Sequence, residues 1–422
     1  MEQRELFADL HIHSRFSRAC SNQINIPNLV KWARVKGLSL LGTGDFQHPE
    51  WFKELDVLEE REGILWFSDK ESLPTHPKDS EGEFPFVWQT EISLMYTQGK
   101  GRRVHLVVLA PSKEIVKQII NYLGKKGRLD YDGRPIFKIP CYEFVEAMKR
   151  IDDKIEIIPA HAWTSWFGIF GSNSGFDSLK EAFQNQVDKV YAIETGLSSD
   201  PLMNWKIKEL NNKSIVSFSD SHSFWPWRLG REATIFEIEE GKRLNYDLII
   251  KQIRENSFIG TVEVSPLYGK YHWDGHRNCG FSCSPEESKK LNGICPKCKN
   301  PLTIGVEYRV NELTNQSTEE NKNKKYYYTL LPLHEIISLA SGVSMNSKGC
   351  WQIYNSLIEK FGNEFNVLLR ASKVELASVL KNELLVELIM KNRAGNIKIK
   401  PGFDGEYGVA LLEKSEKQER LF

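Results

Sequence analysis

The sequence predicts an α/β fold: a mostly parallel sheet, open or closed into a barrel, followed by a small metal-binding module and a helical domain. Three observations carry this. From residue 5 to about 238, short apolar segments alternate with amphipathic stretches; polar residues recur where those segments end; and four of the seven cysteines fall between residues 279 and 298.

A chain of 422 residues is long enough for two to four domains and a sizeable core. Hydrophobic residues make up 41% and charged residues 27%, and no apolar run approaches the roughly 18 residues of a membrane span. Met1-Glu-Gln-Arg-Glu-Leu lacks the basic-then-apolar pattern of a signal peptide, so a cytoplasmic protein without a membrane partner is expected. The formal net charge is zero, and contact with nucleic acid therefore has to use local basic patches.

LFADLHIH is the first apolar segment, and the helix expected after it, IPNLVKWARVK, places Val30, Ala33 and Val35 at helical spacing before Gly37 ends it. LSLLGTGD, FVWQTEIS, VHLVVLAP, IEIIPAHAW, KVYAIETG, SIVSFSDSH and ATIFEIE read as further strands, most of them separated by helical stretches such as IPCYEFVEAMKRID. His11 and His13 are one residue apart, and side-chain alternation turns both to one face, as two ligands of one metal would be. Asp45, Glu91, His161, Glu194, Asp220 and His222 stand at later segment ends, His48 follows Asp45 by three residues, and His105 lies near the start of its segment or within it.

In parallel α/β folds the carboxyl ends of strands share one face, where sites form. The ten residues just named are therefore candidate metal ligands. Imidazole and carboxylate donors suit zinc, manganese or iron, and so many exceed the needs of one ion, so two or three divalent ions are expected. Clusters of this kind hydrolyse phosphate esters by activating water and neutralising charge on the phosphate and leaving oxygen. The insertions at 68–85, which includes His76, and 127–140 read as surface loops.

Cys279-x3-Cys283 and Cys295-x2-Cys298 have the spacing of a closed four-thiolate zinc site with a structural role, with His272 and His276 as substitutes for a thiolate. The expected divisions are a catalytic unit over 1–245, a zinc module over 264–312, a helical domain over 326–400 and a tail over 413–422.

The motifs D-L-H-I-H-S, G-T-G-D, Glu91, P-A-H-A-W and S-D-S-H resemble those of the polymerase and histidinol phosphatase (PHP) superfamily across residues 5–238. That resemblance implies a distorted seven-stranded β/α barrel holding two or three divalent metals, zinc, manganese or magnesium, with Asp220, Glu91 and His161 as candidate catalytic residues. Two positions depart from the common pattern: Phe46 follows Asp45 where many members have histidine, and Ala19 stands where many have a third histidine.

The order of barrel, Y-H-W-D-G-H-R-N-C-G-F-S-C-S-P, C-P-K-C and helical tail is similar to the endonuclease Q family of DNA repair nucleases. That similarity implies incision 5′ of a deaminated base (hypoxanthine, uracil or xanthine) or of an abasic site, in double- or single-stranded DNA. The alternative is a PHP-type phosphatase acting on a small phosphate monoester.

An enzyme that inspects a base must extrude it and hold it against flat apolar surfaces. Trp163, Trp166, Phe167, Phe224, Trp225 and Trp227 flank His161 and His222 and are candidates for that contact, with Lys100, Arg102, Arg103, Arg228 and Arg231 for the phosphates. The terminal Gln418-Glu-Arg-Leu421-Phe422 fits the pattern by which bacterial repair and replication proteins bind the sliding clamp. A nucleoid-associated monomer is the expected form.

Overall fold

The computed structural model describes residues 3–68 and 82–412. The clamp-like Gln418, Leu421 and Phe422, like His76, lie outside the described residues. Strand β1 (Gln3–Asp9) begins with exposed charged residues and ends fully buried. It pairs parallel with β2 (Leu40–Gly42) through a right-handed crossover helix, Ile26–Lys36. Asn25 caps that helix by accepting from Asn28 N, and Gly37, at φ 99°, ends it in a conformation that glycine adopts without strain.

A hairpin of β3 (Glu59–Arg61) and β4 (Ile64–Ser68) pairs with the start of β5 (Glu83–Gln98), which runs parallel to β2. Next come β6 (Lys100–Ala110), β7 (Ile136–Phe137), β8 (Glu156–Pro159), β9 (Ala192–Glu194), β10 (Ser214–Val216), β11 (Ala233–Glu239) and β12 (Gly260–Glu263). The expected mostly parallel sheet is in fact mixed. β5 and β6 form one long antiparallel hairpin turning at Gly99 (φ 71°), β6 pairs antiparallel with β8, and β11 pairs antiparallel with both β1 and β12. The cause is the short T-Q-G-K-G-R link, which leaves no room for the crossover helix that a parallel pair needs.

Alternation along these strands sorts their side chains into two apolar layers. Leu6, Ala8, Leu40, Val87, Val107, Leu109, Ile158, Ala192 and Val216 meet in one cluster. Their neighbours Phe7, Leu41, Phe86, Leu106, Val108, Ile157, Ile193 and Ile215 face the other way and pack under the helices. β1, β2, β5, β6, β8, β9 and β10 thus all feed the first cluster. Backbone bonds at one end tie them further: Ala162 N donates to Glu194 O (2.9 Å), and His13 N to Ser221 O (3.0 Å). That end carries the polar residues.

The sheet continues past residue 245, since β12 pairs parallel with Tyr326–Thr329 (β13 here). Between them lies a short antiparallel hairpin, Asp274–His276 with Phe281–Cys283, followed by helices Pro285–Lys290 and Val306–Leu313. Helices Leu333–Ser341, Lys348–Phe361, Lys373–Val379 and Glu383–Arg393 make the helical domain, with Ser347, Ser372 and Asn382 capping the last three. None of the described helices is long and apolar enough to cross a membrane.

One buried ion pair joins the helical domain to the sheet. Lys36, at the end of the first helix, places Nζ 2.7 Å from Glu364 Oε1 and 2.9 Å from Pro226 O. Glu364 also accepts from Leu333 N (3.0 Å) and from the Tyr354 hydroxyl (2.9 Å). Trp32, Trp225, Trp227, Trp351 and His334 pack edge and face beside it.

The Lys36 and Glu364 side chains are 2% and 0% exposed, so removing one leaves an uncompensated buried charge. Lys36→Met should cost about 3–5 kcal/mol, and adding Glu364→Gln should recover part of it. Urea unfolding midpoints measure both; equal stability of Lys36→Met and wild type would show that the pair contributes nothing net.

Candidate metal centre

The segment after β1 is fixed before any ligand is placed. Asp9 accepts from Ser219 N (3.0 Å), from the Ser219 hydroxyl and from Gly230 N (2.9 Å), joining the end of β1 to the segments flanking Asp220. Burial pushes its carboxyl up to about 6 against those bonds.

His11 and His13 follow. His11 Nδ1 lies 2.8 Å from Glu194 Oε1, and its Nε2 is 3.7 Å from both Glu91 Oε1 and Asp220 Oδ1. That Nε2 is buried and has no hydrogen-bond partner. His13 Nδ1 lies 3.0 Å from Asp45 Oδ1, while Nε2 is 3.1 Å from Asp220 Oδ1 and 3.2 Å from Glu91 Oε2.

Glu91 stands within β5, not at its end as the sequence suggested. It pairs with Val107, so His105, two residues back along β6, projects on the same face. His105 Nδ1 is 2.8 Å from Glu91 Oε1, and His161 Nε2 is 3.1 Å from the same oxygen. Donor atoms of His11, His13, Glu91 and Asp220 lie within 4.8 Å of one another, as do those of Glu91, His105 and His161. Glu91 belongs to both groups.

Backbone conformation contributes to this convergence. Asp45 (φ 34°), His161 (φ 33°) and Asp220 (φ 47°) all lie in the left-handed region, each at a cost of order 1–3 kcal/mol that the surroundings must offset. His161 is repaid in part by its N–H, which donates to Glu194 Oε2 at 2.6 Å.

Burial opposes charge on Glu91, yet His105, Arg134 and His11 hold it well below the usual carboxylate range. Asp220 behaves likewise against His222, His13 and His11. Burial also opposes charge on His11 and His13, but Glu194 and Asp45 outweigh it and raise both well above the usual histidine value. Imidazole nitrogens and carboxylate oxygens, one of the nitrogens buried and unpartnered, fit divalent cations of the zinc or manganese type.

A domain family described as the MJ0043 C-terminal domain matches residues 332–396. The MJ0043 protein of Methanocaldococcus jannaschii is 32% identical over 360 residues, 82% of this chain and 43% of that one, so the chain spans less than half of that relative. The YqxK protein of Bacillus subtilis is 26% identical over 420 residues, covering 96% of this chain and 99% of its own. Among solved structures, the lesion-specific endonuclease PfuEndoQ of Pyrococcus furiosus is similar over 99% of this chain and 100% of that one, with TM-score 0.83 and 29% identity. Endonuclease Q in complex with a 27-mer duplex carrying an abasic lesion gives TM-score 0.84 and 30% identity over 97% of both chains. The chain belongs to the endonuclease Q family.

In this endonuclease Q family member the predicted ligands divide into inner and outer residues. His11, His13, Glu91, His105, His161 and Asp220 offer donor atoms to the two groups. Glu194 and Asp45 do not. Their oxygens are taken up by His11 and His161 N, and by His13, Ser14 and Ser17, so they orient the imidazoles. His48 is also outside both groups, stacked on Phe16 at 4.3 Å, because the turn after Asp45 directs it away. His222 sits beside His13, ring centroids 4.6 Å apart, with Nδ1 on Asp220 O (2.9 Å).

In the cysteine cluster, donor atoms of His276, Cys279, Cys295 and Cys298 lie within 4.8 Å of one another, with His276 Nδ1 3.2 Å from Cys298 Sγ. Cys283, at the end of the hairpin strand opposite Asp274, is buried in the same cluster beside Cys295 and Leu302.

Several candidate DNA contacts are internal. Trp163 is fully buried, its Nε1 donating to Asn204 Oδ1 at 2.7 Å, and Phe224 is 3% exposed. Arg102 is held by Gly175 O and Glu181 and lies 4.0 Å above Phe176. Arg231 donates to Ser219 O. Trp225 and Trp227 stack on each other and against Trp351 of the helical domain. By contrast Trp166 is 45% exposed with Arg103 5.4 Å from its ring, Lys100 is exposed, Arg228 is half-buried 5.8 Å from the Tyr407 ring, and Phe167 stacks on His105 at 4.3 Å. The sequence reading missed Arg134, which reaches Glu91 Oε2 at 3.0 Å from a segment with no strand or helix periodicity to mark it.

Glu91→Gln should remove metal from both histidine–carboxylate groups and leave the zinc of the His276 group in place, whereas Glu194→Ala should weaken the first group about 10–100-fold. Metal content by mass spectrometry after dialysis against graded chelator measures both. Wild-type retention in Glu91→Gln would show that this carboxylate is not the shared ligand.

Proposed function

We propose that this protein is a metal-dependent endonuclease that cuts DNA 5′ of deaminated bases, hypoxanthine, uracil or xanthine, and of abasic sites. The observation that carries the reading is similarity over 97% of both chains to endonuclease Q bound to a duplex with an abasic lesion at its active site. Two histidine–carboxylate groups gathered at one end of the sheet support it chemically.

Two or three divalent ions, zinc, manganese or magnesium, would when bound there provide an activated water and offset the charge of the phosphodiester and leaving oxygen. His11, His13, Glu91 and Asp220 hold one position, and Glu91, His105 and His161 a second. Asp220 is the acid that substrate reaches. Its side chain is 27% exposed, whereas those of Glu91, His11 and His13 are wholly buried, and three histidines keep it anionic. Asp220 is therefore the anionic ligand placed nearest the mouth through which a phosphate would enter. His161, oriented by Thr164 at 2.7 Å, stands across Glu91 from it.

Trp166 and Phe167 are the aromatics left to meet an extruded base, since the exposed Trp166 continues into Phe167, which covers His105. Arg103, Lys100 and Arg228 lie where a backbone could be followed. One zinc at His276, Cys279, Cys295 and Cys298 has a closed donor set and a structural role. The protein acts as a monomer at the nucleoid, and its terminal Gln418, Leu421 and Phe422 recruit it to the sliding clamp.

The test incubates the protein with Mg²⁺, Mn²⁺ or Zn²⁺ and end-labelled duplexes carrying one uracil, hypoxanthine, xanthine or abasic site beside an undamaged control. A single cut 5′ of the lesion is expected, slowed about a hundredfold or more by Asp220→Ala. Trp166→Ala should weaken binding of the uncut lesion duplex about fivefold or more. Turnover of small phosphate monoesters without any incision would replace this reading with a phosphatase.

A further inference from the structure

Within the 127–140 insertion, Arg128, Asp130 and Tyr131 are exposed as expected of a surface loop, but Gly133 to Phe137 fold inward onto the histidine–carboxylate groups. Gly133 N donates to Phe16 O at 3.1 Å, and its carbonyl accepts from the Gln47 amide. Ser93 N donates to Pro135 O at 3.1 Å, after which Ile136 and Phe137 pair with β5. Gly133 packs so closely on Asp45 and Ser17 that a Cβ there would collide with both side-chain oxygens. The chain on each side of Arg134 is therefore pinned, and the side chain between enters the site.

Arg134 Nη1 donates to Glu91 Oε2 at 3.0 Å, and the side chain is 23% exposed. A guanidinium carries five N–H donors in one rigid plane. Among the described residues, its side chain makes that single hydrogen bond. The other donors remain for whatever enters the mouth. The nearby arginines are differently occupied: Arg102 with Gly175 O and Glu181, Arg103 over Trp166, Arg231 with Ser219 O.

We propose that Arg134 is a phosphate-binding residue, its guanidinium taking two non-bridging oxygens of a phosphate group that enters beside Glu91 and Asp220. The inference rests on the phosphoester reading above and adds a residue to it. A phosphate brings negative charge into a mouth that already holds two carboxylates, so a fixed cation is required beside the ions. A guanidinium fork matches two phosphate oxygens in a way that the neighbouring imidazoles do not. Were a cation held at Glu91, the oxygen that Arg134 now contacts would be shared with it, leaving the guanidinium donors for the incoming group.

The experiment titrates inorganic phosphate calorimetrically into the Mn²⁺-loaded full chain, as wild type, Arg134→Gln and Arg134→Lys, with bound metal counted in each. Arg134→Gln should weaken phosphate binding about tenfold or more with metal content unchanged, and Arg134→Lys should recover part of the loss. On an uncut lesion duplex, Arg134→Gln should lower the salt slope of binding by about one. Unchanged phosphate affinity in Arg134→Gln overturns the proposal. So does a loss that merely follows loss of metal, which would mean that Arg134 only balances Glu91. Because the probe is inorganic phosphate, failure of the wild type to cut lesion duplexes would count against the nuclease reading and leave this result standing.

Discussion

A carboxylate with no exposed surface is stable only where positive charge surrounds it, and Glu91 is such a carboxylate at the centre of this molecule. His11, His13, His105, His161 and Arg134 all approach its two oxygens within 3.7 Å. These five groups come from the segment after β1, from β6, from the segment after β8 and from the loop before β7. One buried charge therefore dictates where four separate parts of the chain must end. The convergence of strand ends is the geometric answer to that demand, and the outer carboxylates Glu194 and Asp45 complete it by holding His11 and His13 in register.

The same demand accounts for the strain. Asp45, His161 and Asp220 each pass through left-handed backbone at the point where a strand stops and a functional side chain must turn inward. A relaxed backbone would carry the side chain on along the strand direction. Binding of Ser219 N and Gly230 N by Asp9 fixes the segment that contains Asp220, so the strain there is opposed by hydrogen bonds to the end of β1, 210 residues before Ser219.

The inner ligands were legible because their physical signature is local. A histidine or acid at the end of an apolar segment, repeated around the chain, needs no knowledge of the partner strand. Glu194 and Asp45 carried the same signature, and the structure places their oxygens against His11 and His13, distances that spacing does not encode. His276 joins the cysteine cluster for a similar reason: the register of a three-residue hairpin brings it to Cys298 while Cys283 is buried beside Cys295. Arg134 was illegible because it lies in an irregular segment and is placed by contacts of Gly133 and Pro135 with Phe16, Gln47 and Ser93. The aromatics show the limit from the other side. Six looked alike beside the ligands, yet burial separates Trp163 and Phe224, which fill the core, from Trp166, which faces solvent.

Trp225 and Trp227 were singled out for the base and instead bear on the helical domain, a placement that ties that domain to the site by a short path. They follow His222 by three and five residues, and the Pro226 carbonyl between them accepts from Lys36 Nζ, which is also paired with Glu364. The segment from Asp220 to Gly230 is thus clamped at both ends by Asp9 and at its middle by the ion pair and the tryptophan stack. Asp220 is the most exposed acid of the histidine–carboxylate groups, and it sits on this clamped segment in a strained conformation. A domain that contributes no residue to either histidine–carboxylate group therefore still supports the geometry of the acid on which the proposed chemistry turns, and it does so through an apolar core continuous with that of the sheet, where Leu333, Ile336 and Tyr354 join Phe7 and Leu41 in one cluster.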